Sequence, residues 1–175
     1  AADVWHPRTM RAPDAAASGL YATLAAALVA IGTFLPSLAG VFQFDDFNVI
    51  VGNPVVHTWD AYLADLGTGI RPLLKATYAF NWTSGHGASG FALTNIAIHA
   101  LNTALVHRLG LALVRAWRVE DAHAGLAVLA AALLFAVHPV QTEAVTYVSG
   151  RSSGLVATFV LASVLAWMHG IETGR

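Results

Sequence analysis

Long apolar stretches separated by polar connections are the main pattern along this chain. Four of them have few charged residues and enough length to span a membrane as helices, at about 18–40, 91–114, 122–138 and 154–170. None shows the alternation of polar and apolar residues that is typical of a membrane-spanning β-strand. The pattern therefore predicts an all-α integral membrane protein with four transmembrane helices.

Two polar loops stand out between these spans, a long one at 41–90 and a shorter one at 139–153. Within the long loop, residues 59–66 and 71–82 place apolar and aromatic side chains at helical spacing, which predicts amphipathic helices at the membrane interface. The predicted organisation is an N-terminal tail (1–17), a single membrane domain (18–170) and a short end (171–175).

Composition supports a membrane protein and excludes several classes of partner. Of the 175 residues, 57% are hydrophobic and 11% are charged, whereas a soluble domain has about 25% charged residues. A net charge of −1 without a basic stripe argues against a nucleic-acid partner. The chain has no cysteine, and His57, His86 and His123 lack the spacing of metal ligands, so no metal site is expected.

Basic residues beside the spans predict the orientation in the membrane. One side of the predicted topology carries Arg8, Arg11, Arg108, Arg115, Arg118 and Arg175, and the other carries Arg71, Lys75 and Arg151. Because cytoplasmic segments are enriched in Lys and Arg, the N-terminus is predicted to be cytoplasmic and both polar loops to share the outer face. We expect a multi-pass protein of a bacterial inner membrane rather than of the endoplasmic reticulum.

Adjacent acids follow the first span directly. Asp45 and Asp46 lie between Phe44 and Phe47. Because neighbouring carboxylates repel each other, such a pair either serves a cation, a proton or a hydroxyl substrate, or belongs to a solvated loop. Both interpretations remain open on the residues alone.

The loop before the last span is rich in polar residues. If residues 140–148 are helical, Glu143 and Tyr147 lie one turn apart on one face, with His138 and Arg151 at the two ends. An arginine beside serines at a helix start suits a phosphate group; the alternative is a contact with Glu143 or with a lipid headgroup. Arg71 offers a second cationic position, with an ordinary interfacial arginine as the alternative.

Asn95, His99 and Asn102 form a polar stripe along the second predicted span. In lipid these side chains would be unfavourable, so they should face a protein or water-filled interior. For Asn102 we favour a hydrogen bond between packed helices. For Asn95 and His99, a functional role and a packing role are both open.

Five motifs occur in an order that resembles one protein family. The chain is similar to the N-terminal membrane portion of the transmembrane and tetratricopeptide-repeat O-mannosyltransferases and their bacterial relatives. These motifs are Phe-Asp-Asp at 44–46, Asn-Pro at 53–54, Arg-Pro-Leu at 71–73, Asn-x-x-x-His at 95–99 and Phe-x-x-His-Pro-Val-x-Thr-Glu-Ala-Val-x-Tyr-Val-x-Gly-Arg at 135–151. The resemblance covers about 41–170. It implies a membrane glycosyltransferase that moves a mannose-like sugar from a polyprenyl-phosphate donor to a protein hydroxyl on the outer face.

The resemblance also implies roles for individual residues. Asp45 or Asp46 would be the catalytic base towards the acceptor hydroxyl. The donor phosphate would be held by Arg151, Arg71 and His138, with Glu143, Tyr147, Asn95 and His99 in the same site. The implied partners are the bilayer, the lipid-linked sugar and the acceptor protein. No tightly bound cofactor is expected, and the need for a divalent cation is left open.

Four spans are fewer than the family fold requires, so whether this chain is itself an enzyme is left open. The alternative is a non-catalytic accessory subunit, packed in a larger membrane complex and built on a truncated glycosyltransferase fold. Small-residue faces such as 125–132 suit the close helix packing that this alternative needs.

Overall fold

Seven α-helices make up most of residues 15–174, the part of the chain that the computed structural model describes. Their bounds are α1 Ala15–Phe34, α2 Trp59–Asp65, α3 Pro72–Thr83, α4 Gly87–Ala116, α5 Ala124–Val137, α6 Gln141–Val145 and α7 Arg151–Thr173. Within that range no residue forms a β-strand. The predicted all-α fold is therefore confirmed; Arg8, Arg11 and Arg175 of the orientation argument lie outside the described residues.

Helices occupy all four predicted spans, and three of them are long and apolar enough to cross a membrane. These three are Ser18–Ala39, which continues α1 into a short 3₁₀ turn, Gly87–Ala116 and Val148–Thr173. The fourth, α5, is equally apolar but has 14 residues. At 1.5 Å per residue it extends about 21 Å, less than the roughly 30 Å of a hydrocarbon core. Helix α5 begins at Ala124, because the Asp121 carboxylate accepts the His123 N–H and holds the preceding residues in a turn.

Helix α4 lies at the centre and contacts α1, α5 and α7. It runs antiparallel to α1, since Thr23 bonds His107 and Ala30 packs against Ala100. Buried alanines at these contacts let the backbones approach closely, as is usual between membrane helices. Helix α7 runs parallel to α4, because Asn95 contacts Arg151 and, further along both helices, Asn102 contacts Thr158.

The long connection after α1 contains both predicted amphipathic helices, which are α2 and α3. Between α1 and α2 lie a π-helical turn, Phe47–Val51, and a 3₁₀ turn, Pro54–Val56. A hydrophobic cluster joins this connection to the bundle; it consists of Ile50, Val56, Tyr78, Phe91 and Val148. An ion pair of 2.6 Å between Lys75 and Asp65 fixes α3 to α2. The connection between α1 and α4 is thus packed against the helix bundle.

The alternating directions of α1, α4, α5 and α7 bring two distant loops to one end of the bundle. The end of α1 and the end of α5 lie beside the starts of α4 and α7. We call the surface formed there by residues 43–46 and 138–149 the polar rim. The predicted convergence of the two polar clusters is therefore present in the fold.

Candidate functional site

Asp46 is the buried member of the acidic pair, with 1% of its surface exposed. Its Oδ1 accepts hydrogen bonds from the Ser149 N–H, at 2.8 Å, and from the Ser149 hydroxyl. Its Oδ2 accepts from the Gln43 N–H at 3.0 Å. Because the carboxylate has three donors inside the protein, Asp46 anchors the loop to the start of α7.

Asp45 is the exposed member of the pair. Its backbone N–H donates to the Tyr147 hydroxyl oxygen at 3.0 Å, while its carboxylate faces solvent. The preceding Phe44 has a left-handed backbone, with φ of 45°, which is uncommon for a non-glycine residue and makes the turn here tight. The turn thus holds one aspartate inward and presents the other outward.

Arg151 is completely buried. Its Nε donates to Asn95 Oδ1 at 2.7 Å, its Nη1 to Thr77 Oγ1 at 2.9 Å and its Nη2 to the Phe91 carbonyl at 3.0 Å. The guanidinium carbon also lies 4.9 Å from the ring centroid of Tyr78, a favourable cation–π distance. In this arrangement the arginine joins α3, α4 and α7, and it presents no surface to an outside phosphate.

Tyr78 is a buried residue next to Arg151. Burial raises the pKa of Tyr78 to about 12; the charge of Arg151 opposes the rise and that of Asp46 adds to it. Its hydroxyl points to the Val148 carbonyl at 3.5 Å. The phenol is therefore neutral at physiological pH and serves as an apolar wall beneath the rim.

The polar stripe of α4 forms a hydrogen-bonded seam between helices. Asn95 Nδ2 donates to the Val145 carbonyl at 3.2 Å, which ties α4 to α6. His99 Nε2 lies 3.0 Å from the Ala136 carbonyl of α5. Asn102 Nδ2 donates to the Gly154 carbonyl of α7 at 2.9 Å. All three side chains thus have packing partners, and a role in binding for Asn95 and His99 stays a prediction.

Arg71 lines an apolar groove along α7. The residue is exposed and has a left-handed backbone, with φ of 55°, directly before Pro72 at the start of α3. The groove has a volume of about 710 Å³. Ser152 and Ser153 line it at the α7 start, and Leu155, Val156, Phe159 and Val160 form its apolar wall.

Glu143 and Tyr147 line one pocket, but not as one face of a helix. Helix α6 ends at Val145 and Tyr147 has an extended backbone, so the predicted helix over 140–148 does not reach Tyr147. The pocket has about 430 Å³ and is also lined by Gln43 and Thr146. His138 is exposed at the rim, where its Nδ1 accepts from the Val140 N–H at 3.2 Å. The rim therefore brings together Asp45, Asp46, Glu143 and Tyr147, while Arg71 opens on the separate groove.

Two residues of this arrangement carry roles that the sequence reasoning did not assign. Ser149 holds Asp46, and Thr77 accepts from Arg151. An arginine next to an apolar span must find acceptors if it is buried, so a search for hydroxyls on α3 could have indicated Thr77. Within residues 15–174, no group of three or more His, Cys, Asp or Glu side chains forms a metal-binding cluster.

Comparison with known proteins identifies relatives along most of the chain. Protein O-mannosyl-transferase F38B6.6 of Caenorhabditis elegans is 29% identical over 154 residues, covering 79% of this chain and 22% of that protein. The human protein O-mannosyl-transferases TMTC4 and TMTC1 are 33% and 32% identical, covering 89% of this chain and 24% and 19% of their own lengths. The chain thus spans less than a quarter of these relatives. No family model and no solved structure matches it.

Proposed function

The chain belongs to the TMTC protein O-mannosyltransferase family, and from this premise we propose that its polar rim supplies the catalytic base of a membrane sugar transfer. The donor in this proposal is a polyprenyl-phosphate sugar, and the acceptor is a protein hydroxyl. The observation that carries the proposal is the different environment of the two neighbouring aspartates. The carboxylate of Asp46 accepts hydrogen bonds from Gln43 and Ser149, whereas Asp45 is exposed on the same turn.

In the proposed reaction Asp45 takes the proton of the acceptor hydroxyl as that oxygen attacks the anomeric carbon of the sugar. The new C–O bond forms as the bond from the anomeric carbon to the phosphate oxygen breaks, and the electron pair leaves with the polyprenyl phosphate. Attack opposite the leaving group inverts the anomeric centre. A positioned base contributes typically 10²- to 10⁴-fold to such a step.

The groove along α7 is the proposed donor site. Its apolar wall suits a polyprenyl chain, and Arg71, Ser152 and Ser153 supply polar groups to its lining. A cationic group and hydroxyl donors stabilise the charge that develops on a leaving phosphate. The predicted phosphate contact of Arg151 remains part of the proposal, and it requires the guanidinium to exchange at least one of its present partners for a phosphate oxygen.

The proposed topology places the polar rim on the non-cytoplasmic side, with a cytoplasmic N-terminus, in a bacterial inner membrane. Because these 175 residues contain no cysteine, a cysteine introduced here reports accessibility without a competing cysteine in this segment. Thr68→Cys, between α2 and α3, should react with a membrane-impermeant maleimide in intact cells. Glu120→Cys, at the other end of the bundle, should react only after permeabilisation; the opposite result would reverse the orientation.

The catalytic proposal is tested with Asp45→Asn in the complete protein. We expect loss of sugar transfer by about 10²-fold or more, with unchanged insertion and thermal stability, because the Asp45 side chain is exposed. Asp60→Asn, which removes another exposed acid in the first turn of α2, is the matched control and should retain activity. Full transfer by Asp45→Asn would refute the proposed base.

The second candidate is a non-catalytic subunit of a larger membrane assembly. The observation that favours it is the exposure of α7, since only 6% of an 18-residue apolar stretch of this span is buried within the described residues. Such a face suits either lipid or neighbouring helices. Fixed-stoichiometry co-purification with other membrane proteins, together with unchanged transfer in the assembly carrying Asp45→Asn, would favour this candidate over the enzyme.

A further inference from the structure

The pocket of Glu143 has a composition that bears on what could enter it. Its walls carry several hydrogen-bonding side chains, namely Gln43, Thr142, Glu143, Thr146 and Tyr147. Among the described residues that line it, Glu143 is the only one charged at neutral pH. Its side chain is exposed, so its negative charge faces the pocket and solvent without a basic neighbour in the lining.

One residue of the pocket lining contacts the backbone of Asp45. Tyr147 lines the pocket, and its hydroxyl oxygen accepts from the Asp45 N–H at 3.0 Å. A chain segment that contacts the Tyr147 hydroxyl therefore lies close to the turn that carries Asp45. Gln43 adds a second link, because it belongs to the pocket lining and its N–H donates to Asp46.

The local field at this pocket is negative. Asp45 and Glu143 are both exposed, while the charge of Arg151 is fully buried behind the rim. Two exposed acids favour a cationic group nearby and disfavour an anionic one. The field therefore distinguishes between segments that carry opposite charges next to the same hydroxyl residue.

We propose that the Glu143 pocket is the acceptor subsite and that it selects polypeptide segments with a lysine or arginine close to the acceptor hydroxyl. This inference rests on the proposed function and specifies the acceptor for that same site. The hydroxyls and amide of the lining would hold the peptide backbone, and Glu143 would pair with the basic side chain. Because the pair is exposed, its contribution is modest, about two- to fivefold in kcat/KM.

The test uses the complete protein and two synthetic peptides that differ at one position. Both contain a single threonine, with lysine two residues away in one peptide and glutamate in the other. We expect the lysine peptide to have about two- to fivefold higher kcat/KM, mainly through KM, and the difference to shrink at high salt. Glu143→Lys should reverse the preference, and Glu143→Gln should reduce it.

Glu120→Lys is the matched control, since it makes the same charge change at an exposed position between α4 and α5. It should leave the preference unchanged. Equal kcat/KM for the two peptides, or a preference that survives Glu143→Lys, would overturn the inference while leaving the proposed transferase activity standing.

Binding is measured separately with fluorescent peptides in which alanine replaces the threonine. If no peptide is glycosylated but the lysine peptide binds more tightly and Glu143→Lys reverses that order, the subsite stands and the proposed chemistry fails. If transfer occurs but neither peptide binds differently, the subsite fails and the chemistry stands.

Discussion

Asp46 and Ser149 are 103 residues apart in the sequence, and the carboxylate of one accepts both the N–H and the hydroxyl of the other. This contact closes the loop after α1 onto the start of α7. It fixes the turn on which Asp45 is presented, so the buried acid determines the position of the exposed one. The two aspartates therefore differ in burial and in hydrogen bonding although they are neighbours in sequence.

Asp46→Asn should destabilise the fold. The amide can keep one acceptor oxygen for Ser149, but its NH₂ group then faces the Gln43 N–H, a donor against a donor. A lost hydrogen bond to a charged group costs about 1.5–3 kcal/mol, which lowers Tm by several degrees for a chain of this size. Thermal unfolding in detergent measures it. Asp45→Asn is the control and should have the same Tm as the wild type. Equal Tm values for the wild type and both variants would contradict the structural role assigned to Asp46.

The sequence predicted the helices and the convergence of the loops because apolar length and alternating direction determine both. It did not distinguish Asp45 from Asp46, since both follow the same span and have the same charge. Their difference arises from a π-helical turn and from Ser149, which reaches the pair only after folding. Tertiary contacts of this kind have no periodic signal in the sequence.

The burial of Arg151 could also not be predicted from the sequence. The pattern Gly-Arg-Ser-Ser before a span suggests an interfacial arginine as readily as a buried one. What buries it is the combination of Thr77 from α3 with Asn95 and the Phe91 carbonyl from α4. Three acceptors from two helices make the desolvated charge tolerable.

Arg151→Lys should be strongly destabilising despite the conserved charge. A lysine has a single donor atom and cannot reproduce the three separate guanidinium contacts, so unfolding should be easier by about 3–5 kcal/mol, the cost of disrupting a buried charge network. Thermal unfolding in detergent measures the change, with Arg71→Lys as the exposed control. If Arg151→Lys instead kept the wild-type Tm and only weakened binding of a polyprenyl phosphate, the direct phosphate role of Arg151 would be favoured over the structural one.

Tyr147→Phe should reduce sugar transfer with only a small loss of stability. The phenol oxygen accepts the Asp45 N–H at 3.0 Å, so its removal frees the turn that presents the carboxylate. The loss of one partly exposed hydrogen bond corresponds to about 0.5–1.5 kcal/mol, or roughly a three- to tenfold lower kcat. Steady-state transfer assays on the complete protein measure the change. Tyr62→Phe on α2 is the control, and equal rates for both variants would contradict a positioning role.

Tyr78 should make the fold sensitive to strong alkali. Because burial raises its pKa from 10.0 to about 12, the folded chain binds the phenol proton more tightly than the unfolded chain. The resulting stability is complete below pH 10 and is lost as the pH rises towards 12. Tyr78→Phe should remove this part of the alkaline loss, measured as Tm against pH. Tyr21→Phe, at an exposed position on α1, should leave the loss in place; if it does not, the assignment to Tyr78 is wrong.

Gly150→Ala should separate the polar rim from the start of α7. A Cβ at this position would lie 2.1 Å from the Glu143 carbonyl oxygen and 3.1 Å from the Ala144 Cα, so backbone has to move on one side or the other. Such overpacking destabilises the fold by about 1–3 kcal/mol, and the backbone movement changes the positions of both Glu143 and Arg151.

Gly125→Ala is the control, because its Cβ meets nothing within 4 Å and alanine favours the α5 helix. We expect a lower Tm and faster proteolysis near residue 146 for Gly150→Ala, and a Tm at or above wild type for Gly125→Ala. If the two alanine variants unfolded alike, α6 would not be held against α7 as closely as the contact between Gly150 and Glu143 requires.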